Sequence, residues 1–381
     1  MSTTSASSLR TVLTPTAILR LAVGWGGYLV VTLLAPVLAE GLPTLVLWTV
    51  LAAIVGIIVV CAFGVVTEAE HLAHRLGDPY GTLVLTLSIV LIEVILISAV
   101  MLGPGEHTTI ARDSVMAVSM IILNLVFGAA LVVGGLRRGD LRLNRTGASA
   151  YLAVLIVLLA AAFAVPGLIG EGGAYAPAQA VPVLVMTVLL YAFFLARQTG
   201  AQSGDFQEVG SAAVAAVPGR PQTLAAVVSA HRGELVARAL VLIITVIPIV
   251  LLSHDMAALL DDGLDRAGAP VALSGILIAM IVFLPETITT IRAAVTGEMQ
   301  RVSNLCHGAL VSTVGLTIPA VLAIGLLTGQ QVVLAETPVN LALLGVTLLL
   351  SVATVAGRRL TALHGAAHLL VFALYGITVF S

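Results

Sequence analysis

Two glutamates stand where a membrane-spanning sequence seldom tolerates an acid. Glu93 closes the run Gly81-Thr-Leu-Val-Leu-Thr-Leu-Ser-Ile-Val-Leu-Ile, and Glu286 closes Ser274-Gly-Ile-Leu-Ile-Ala-Met-Ile-Val-Phe-Leu-Pro. Most of the 19 acidic residues fall at the ends of apolar runs or between them. A charge at the bilayer centre costs at least ~2.5–3.5 kcal/mol, so such a residue faces the protein interior and serves ions or protons. Two carboxylates on one cavity must either share a cation or take up protons, because bare like charges repel strongly in a low dielectric. Competition of metal and protons for the same oxygens produces exchange without a separate proton path. The plainer reading, a protonated glutamate hydrogen-bonded between helices, suits one isolated residue better than two at matching positions.

Neutral oxygens lie close by in the sequence. Pro285 has no N–H, so the carbonyl of Ile281 loses its helical partner, and Pro319 does the same to the carbonyl of Gly315. Thr287, Thr290, Ser312 and Thr313 add hydroxyls. Carboxylates with carbonyls and hydroxyls suit a hard cation, which takes about six to eight oxygens if it is Ca2+. The expected cation and proton site is Glu93, Glu286, Asn124, Ser312, Thr313 and Thr287 with the carbonyls of Ile281 and Gly315, the two glutamates being the direct metal ligands. No resident cofactor is expected; the cation and protons are cargo.

The elements that must hold these residues are read from composition. The chain has 381 residues, 59% hydrophobic and 9% charged, too few charges to cover a water-facing surface. Apolar runs long enough to cross the hydrocarbon occur near 16–38, 43–67, 80–103, 113–136, 148–169, 178–196, 235–253, 269–296, 302–328, 336–356 and 360–380. An all-α polytopic membrane protein of about eleven spans follows. All 17 basic residues are arginine. With the N-terminus inside, fifteen of them fall on the cytoplasmic side and only Arg112 and Arg266 on the other, as the positive-inside rule requires. The expected setting is therefore the plasma or inner membrane, N-terminus cytoplasmic and C-terminus outside.

The layout divides into a disordered tail (1–15), a leading helix (16–42), a five-helix repeat (43–197), a cytoplasmic linker (198–233) and a second five-helix repeat (234–381). Five is odd, so the repeats would be inverted, a common plan for secondary transporters with a midplane site. The halves match in spacing. Glu93 and Glu286 each lie twelve residues past a small residue, and Asn124 and Thr313 each lie twelve past an arginine.

Other features exclude more than they assign. Without lysine there is no P-loop and no Schiff base. HExxH and GxSxG are absent, so a transporter and not an enzyme is expected; a cation channel or an intramembrane enzyme using the buried glutamates are the alternatives. Nothing suggests nucleic-acid binding. The partners are the cation, protons and the lipid bilayer, with oligomeric state open. Cys61 and Cys306 read as small core residues. His71 and His74, with Glu68, Glu70 and Asp78, read as a solvated helix end, and the i, i+4 pair His364/His368 lacks a third metal ligand. The acidic stretch 254–266 reads as an outer connection.

The stretches 81–98, 112–128 (RDSVMAVSMIILNLVFG) and 284–325 (LPETITTIRAAVTGEMQRVSNLCHGALVSTVGLTIPAVLAIG) resemble the ChaA-type calcium/proton antiporters, a bacterial branch of the cation/Ca2+ exchanger superfamily. The resemblance covers the chain apart from the tail and the linker. It implies two inverted five-helix repeats, one essential glutamate from each at Glu93 and Glu286, and polar partners at Asn124 and Ser312-Thr313. It also implies exchange of Ca2+, Na+ or K+ for H+. The GNA-x-E pattern of the wider calcium exchangers is replaced here by Ile89-Val90-Leu91-Ile92 and Val282-Phe283-Leu284-Pro285, which removes two asparagine oxygens.

Overall fold

A computed structural model of the chain describes residues 12–39, 42–76, 80–101, 108–138, 141–209, 224–270 and 272–380. Most of the expected tail (1–11), Asp78, the side chain of His74 and the middle of the linker (210–223) lie outside the described residues.

Apolar sequence that meets lipid cannot leave backbone groups unpaired, so it must be helical. The described chain forms α1 (Pro15–Ala39), α2 (Thr44–Leu76), α3 (Tyr80–Met101), α4 (Ile110–Arg137), α5 (Arg145–Ile169), α6 (Pro177–Thr199), α7 (Leu224–Arg266), α8 (Ala272–Val282), α9 (Leu284–Thr296), α10 (Met299–Thr328), α11 (Pro338–Ala356) and α12 (Ala362–Val379). Among the described residues nine helices are long and apolar enough to cross a membrane, and the broken pair α8/α9 supplies a tenth. The 22-residue α3 completes the correspondence with the eleven runs read from the sequence. Polar residues finish the ends. Asn144 accepts from the N–H groups of Thr146 and Gly147 to cap α5, and Thr361 caps α12 in a capping box with His364. Gly329, at φ 72°, closes α10 in the left-handed conformation that glycine adopts without strain.

The chain forms two compact units, each drawing on both halves of the sequence: residues 1–88 with 218–285, and residues 89–217 with 286–381. In the first unit α2 packs along α7, and α1 lies on both. Arg20 Nη1 donates to Thr67 Oγ1 at 3.1 Å and Trp25 Nε1 to the Ile244 carbonyl at 3.2 Å. Arg238 of α7 pairs with Glu68 at 2.8 Å and Glu234 at 3.1 Å, and Glu234 also holds Arg75 at 3.1 Å. Glu68 was expected on a solvated helix end; instead it is buried, because Arg238 of a helix far along the chain reaches it. His71 does stay exposed.

Helix α7 overruns both of its expected limits. It starts at Leu224, inside the expected linker, leaves helical geometry at His231, and then runs on to Arg266. The acidic stretch 254–266 is thus helical and not a connection. Its last turn is held by Arg266, which donates to both carboxylate oxygens of Asp262 at 2.8 and 2.6 Å, an i, i+4 pair.

In the second unit α10 is the central element, buried along most of its length and packed on α5 and α6. Helix α4 crosses α12 where both lack side chains: a Cβ on Gly365 would lie 2.5 Å from the Gly128 carbonyl oxygen. Small residues that let backbones approach are the usual device for helix packing in lipid. Helix α4 also carries a π-helical turn at Ile121–Val126. At one end of this unit Arg112 Nη1 donates to the Ala335 carbonyl at 3.2 Å, and its Nε lies 4.0 Å from Glu336 Oε1. Glu336 Oε2 accepts from Thr337 N and Asn340 Nδ2. Burial pushes the Glu336 carboxyl above the usual range, with those two donors and Arg112 opposing. Cys61 and Cys306 are buried free thiols, as expected.

Candidate cation site

Glu93, Glu286 and Thr313 reach the second unit from three different helices. Glu93 sits past the middle of α3, Thr313 halfway along the 30-residue α10, and Glu286 in the first turn of the 13-residue α9. The expected single span at 269–296 is broken at Phe283, between α8 and α9, with Pro285 in the opening turn where its missing N–H costs nothing. The break turns Glu286 from a mid-span residue into a helix-start residue. There the unpaired N–H groups and the helix dipole favour negative charge.

Both glutamates are 4% exposed and lie within electrostatic reach of one another. Thr313 Oγ1 donates to Glu93 Oε2 at 2.7 Å. The remaining three oxygens, Glu93 Oε1 and both of Glu286, have no hydrogen-bond partner among the described residues. Buried carboxylates that serve structure are paired or hydrogen-bonded. Three buried carboxylate oxygens without such partners are instead suited to receiving a cation or protons. Cys306 lies beside Glu286 and Thr290, and Thr290 is fully buried.

The other expected ligands are placed differently. Ser312 Oγ accepts from Tyr191 of α6 at 3.0 Å. Gly315 packs flat on the same tyrosine; a Cβ there would lie 2.8 Å from the ring. Pro319 stands four residues on, inside α10, so the Gly315 carbonyl lacks its helical donor. Thr287 is half-buried on α9, and Ile281 is the next-to-last residue of α8 in the first unit.

Asn124 occupies the π-helical turn of α4, and its contacts fix its own orientation. The Thr347 hydroxyl donates to the Leu343 carbonyl at 2.8 Å, so towards Asn124 it can only accept, from Nδ2 at 2.9 Å. Asn124 Oδ1 then faces His368 Nδ1 at 3.1 Å, and that nitrogen must carry the hydrogen. Asn124 thereby ties α4 to α11 and α12. His368 and His307 are fully buried, and both pack edge-to-face on Phe127 at 5.4 and 4.9 Å. The i, i+4 spacing of His364 and His368 conceals different duties, since His364 caps α12. Sequence reasoning did not single out His307, Thr347 or Tyr191. Their signal was only that each is polar within an apolar run. Among the described residues, no three or more of His, Cys, Asp and Glu are grouped to hold a metal.

The family model described as sodium/calcium exchanger protein matches residues 46–200 and 237–381. The chain belongs to the sodium/calcium exchanger protein family. It is 35% identical over 323 residues to the putative ionic transporter y4hA of Sinorhizobium fredii, covering 84% of this chain and 85% of that protein. It is 33% identical over 334 residues to the sodium-potassium/proton antiporter ChaA of Escherichia coli, covering 87% and 88%. The resemblance to the ChaA branch is thus borne out. In fold the exchanger is similar to native YfkE (TM-score 0.67, 18% identity, 96% of this chain and 99% of that one). It is also similar to the H+/Ca2+ exchanger CAX (TM-score 0.63, 16% identity, 96% and 89%). A multi-pass membrane exchanger is the established class.

Proposed function

We propose that this exchanger moves a metal cation against protons at a site built on Glu93 and Glu286, with Thr313 holding Glu93 in place. The observation that carries the reading is that three carboxylate oxygens on these two buried glutamates have no hydrogen-bond partner among the described residues. Two ionised carboxylates match the charge of one Ca2+, and two protons restore neutrality when it leaves. The site is therefore occupied in turn by one or the other. Neutral oxygens, from Ser312, Thr287 and the Gly315 carbonyl, would complete the shell that a hard cation requires.

Ca2+ is the first cargo to test. Na+ and K+ form the second reading, favoured by the name of the Escherichia coli relative and by the missing asparagine oxygens before each glutamate. The two segments matched by the family model, 46–200 and 237–381, support a chain of two repeats, and the arginine asymmetry supports an N-terminus inside.

The test is proton flux in inside-out vesicles read with a pH-sensitive dye, adding Ca2+, Na+ and K+ separately. Wild type should release lumenal protons on adding its cargo, while Glu93→Gln and Glu286→Gln insert normally and release none. Cation-driven flux that survives either substitution would remove the carboxylate site from the mechanism.

A further inference from the structure

The second unit has a groove of about 510 Å3 between α5 and α11, remote in sequence from both glutamates. Its chemistry changes along its length. At the start of α5 it is lined by Arg145, Thr146 and Ser149; further along the walls are Leu152, Ile156 and Val352. Arg145 begins a membrane-crossing helix, and Ile156 lies eleven residues further in, about 16 Å at 1.5 Å per residue. The polar end is thus at the membrane boundary and the apolar end in the hydrocarbon. Ile156 and Val352 are 42% and 40% exposed, so the groove opens sideways.

Charge decides which amphiphile fits. The Leu360 N–H donates to the Leu141 carbonyl at 3.0 Å, drawing the α4–α5 and α11–α12 turns together. These turns carry Arg142, Arg145, Arg358 and Arg359, all exposed. Arg145 spends one donor on the Gly357 carbonyl at 2.6 Å and makes no ion pair with a described carboxylate. The N–H groups of Thr146 and Gly147 are already taken by Asn144, so any anion here is met by side chains and not by the helix end.

We propose that this groove binds one anionic phospholipid, its phosphate against Arg145 and Thr146 and an acyl chain along Leu152, Ile156 and Val352. Basic pockets between transmembrane helices are suited to such headgroups. The proposal does not depend on which cation is carried.

The experiment is native mass spectrometry of the full chain released from nanodiscs of equal parts phosphatidylglycerol and phosphatidylcholine. Wild type should retain one phosphatidylglycerol per chain, with a preference over phosphatidylcholine of about tenfold, given that each arginine near an anionic headgroup contributes severalfold. Arg145→Gln should cut that preference severalfold, and an unchanged preference overturns the proposal. Ala153→Trp, which fills the groove from its wall and leaves the Arg145–Gly357 bond alone, should remove the adduct and serves if Arg145→Gln misfolds. Equal retention of both lipids by wild type overturns the proposal, as does an adduct that survives Ala153→Trp. Displacement of the lipid by excess inorganic phosphate would make this a free-anion site. A lipid-free dimer in place of the adduct would make it an interface between copies. Either result also overturns it.

Discussion

Thr313→Val tests the geometry of the proposed cation site with the least disturbance. Valine keeps the shape of threonine and removes one oxygen, the one that donates to Glu93 Oε2 at 2.7 Å. Both residues are buried, Thr313 completely and Glu93 to 4%, so no solvent replaces the lost donor. Hydrogen bonds to charged groups contribute about 1.5–3 kcal/mol, which at about 1.4 kcal/mol per decade is roughly one to two orders of magnitude in an equilibrium constant. The bond stabilises the ionised Glu93 that a cation needs. The apparent affinity for the transported cation should therefore weaken by about ten- to a hundredfold at neutral pH, while the amount of inserted protein stays the same. The assay is cation-titrated proton flux in vesicles, comparing half-saturating concentrations. Thr313→Ser, which restores the hydroxyl, should recover most of the affinity. If Thr313→Val stays within threefold of wild type, the Thr313–Glu93 bond is not part of the binding site and the assignment fails.

Three further outcomes follow from the packing. Glu68→Gln removes one of the two carboxylates that hold the buried Arg238 and leaves Glu234 in place, so it should lower stability by less than the about 3–5 kcal/mol that a fully stranded buried charge costs; thermal unfolding in detergent reads the loss, and an unchanged midpoint contradicts the buried Glu68–Arg238 pair. Gly365→Ala places a methyl 2.5 Å from the Gly128 carbonyl oxygen, and should lower stability by about 1–3 kcal/mol; an unchanged unfolding midpoint contradicts the close α4–α12 crossing. Glu336, outside the spans, has its carboxyl raised by burial, so the folded chain binds its proton more tightly than the unfolded chain. Its contribution is then fully present below the unfolded value of about 4.3 and is lost as pH rises towards the folded value. Glu336→Gln should flatten the fall in melting temperature between acidic and neutral pH; an identical slope in both proteins removes Glu336 as its source.

The sequence by itself determined the class of this protein and marked the two acids on which the proposed site is built. Lipid imposes helices on any long apolar run, so the spans could be read from composition, and a carboxylate within a run is costly enough to be conspicuous. The family resemblance rested on those same stretches. Pro285 marked a disturbance beside Glu286, but whether it kinks a helix or ends one depends on what packs around it. Only the tertiary structure showed that the helix ends and restarts with Glu286 in its first turn.

Partner choice was equally illegible. Asn124 and Thr313 occupy matching positions in the sequence, yet Thr313 bonds Glu93 and Asn124 is turned to Thr347 and His368. The pattern that places a polar residue inside a span is local. The direction of its side chain is set by helices that are two hundred residues away in the chain. Glu68 shows the same limit, since its neighbours in sequence suggest a wet helix end and Arg238 makes it an interior one. Hydropathy fixes what enters the membrane because every residue meets the same solvent; which polar groups meet inside is decided by helix packing, and that information is not local.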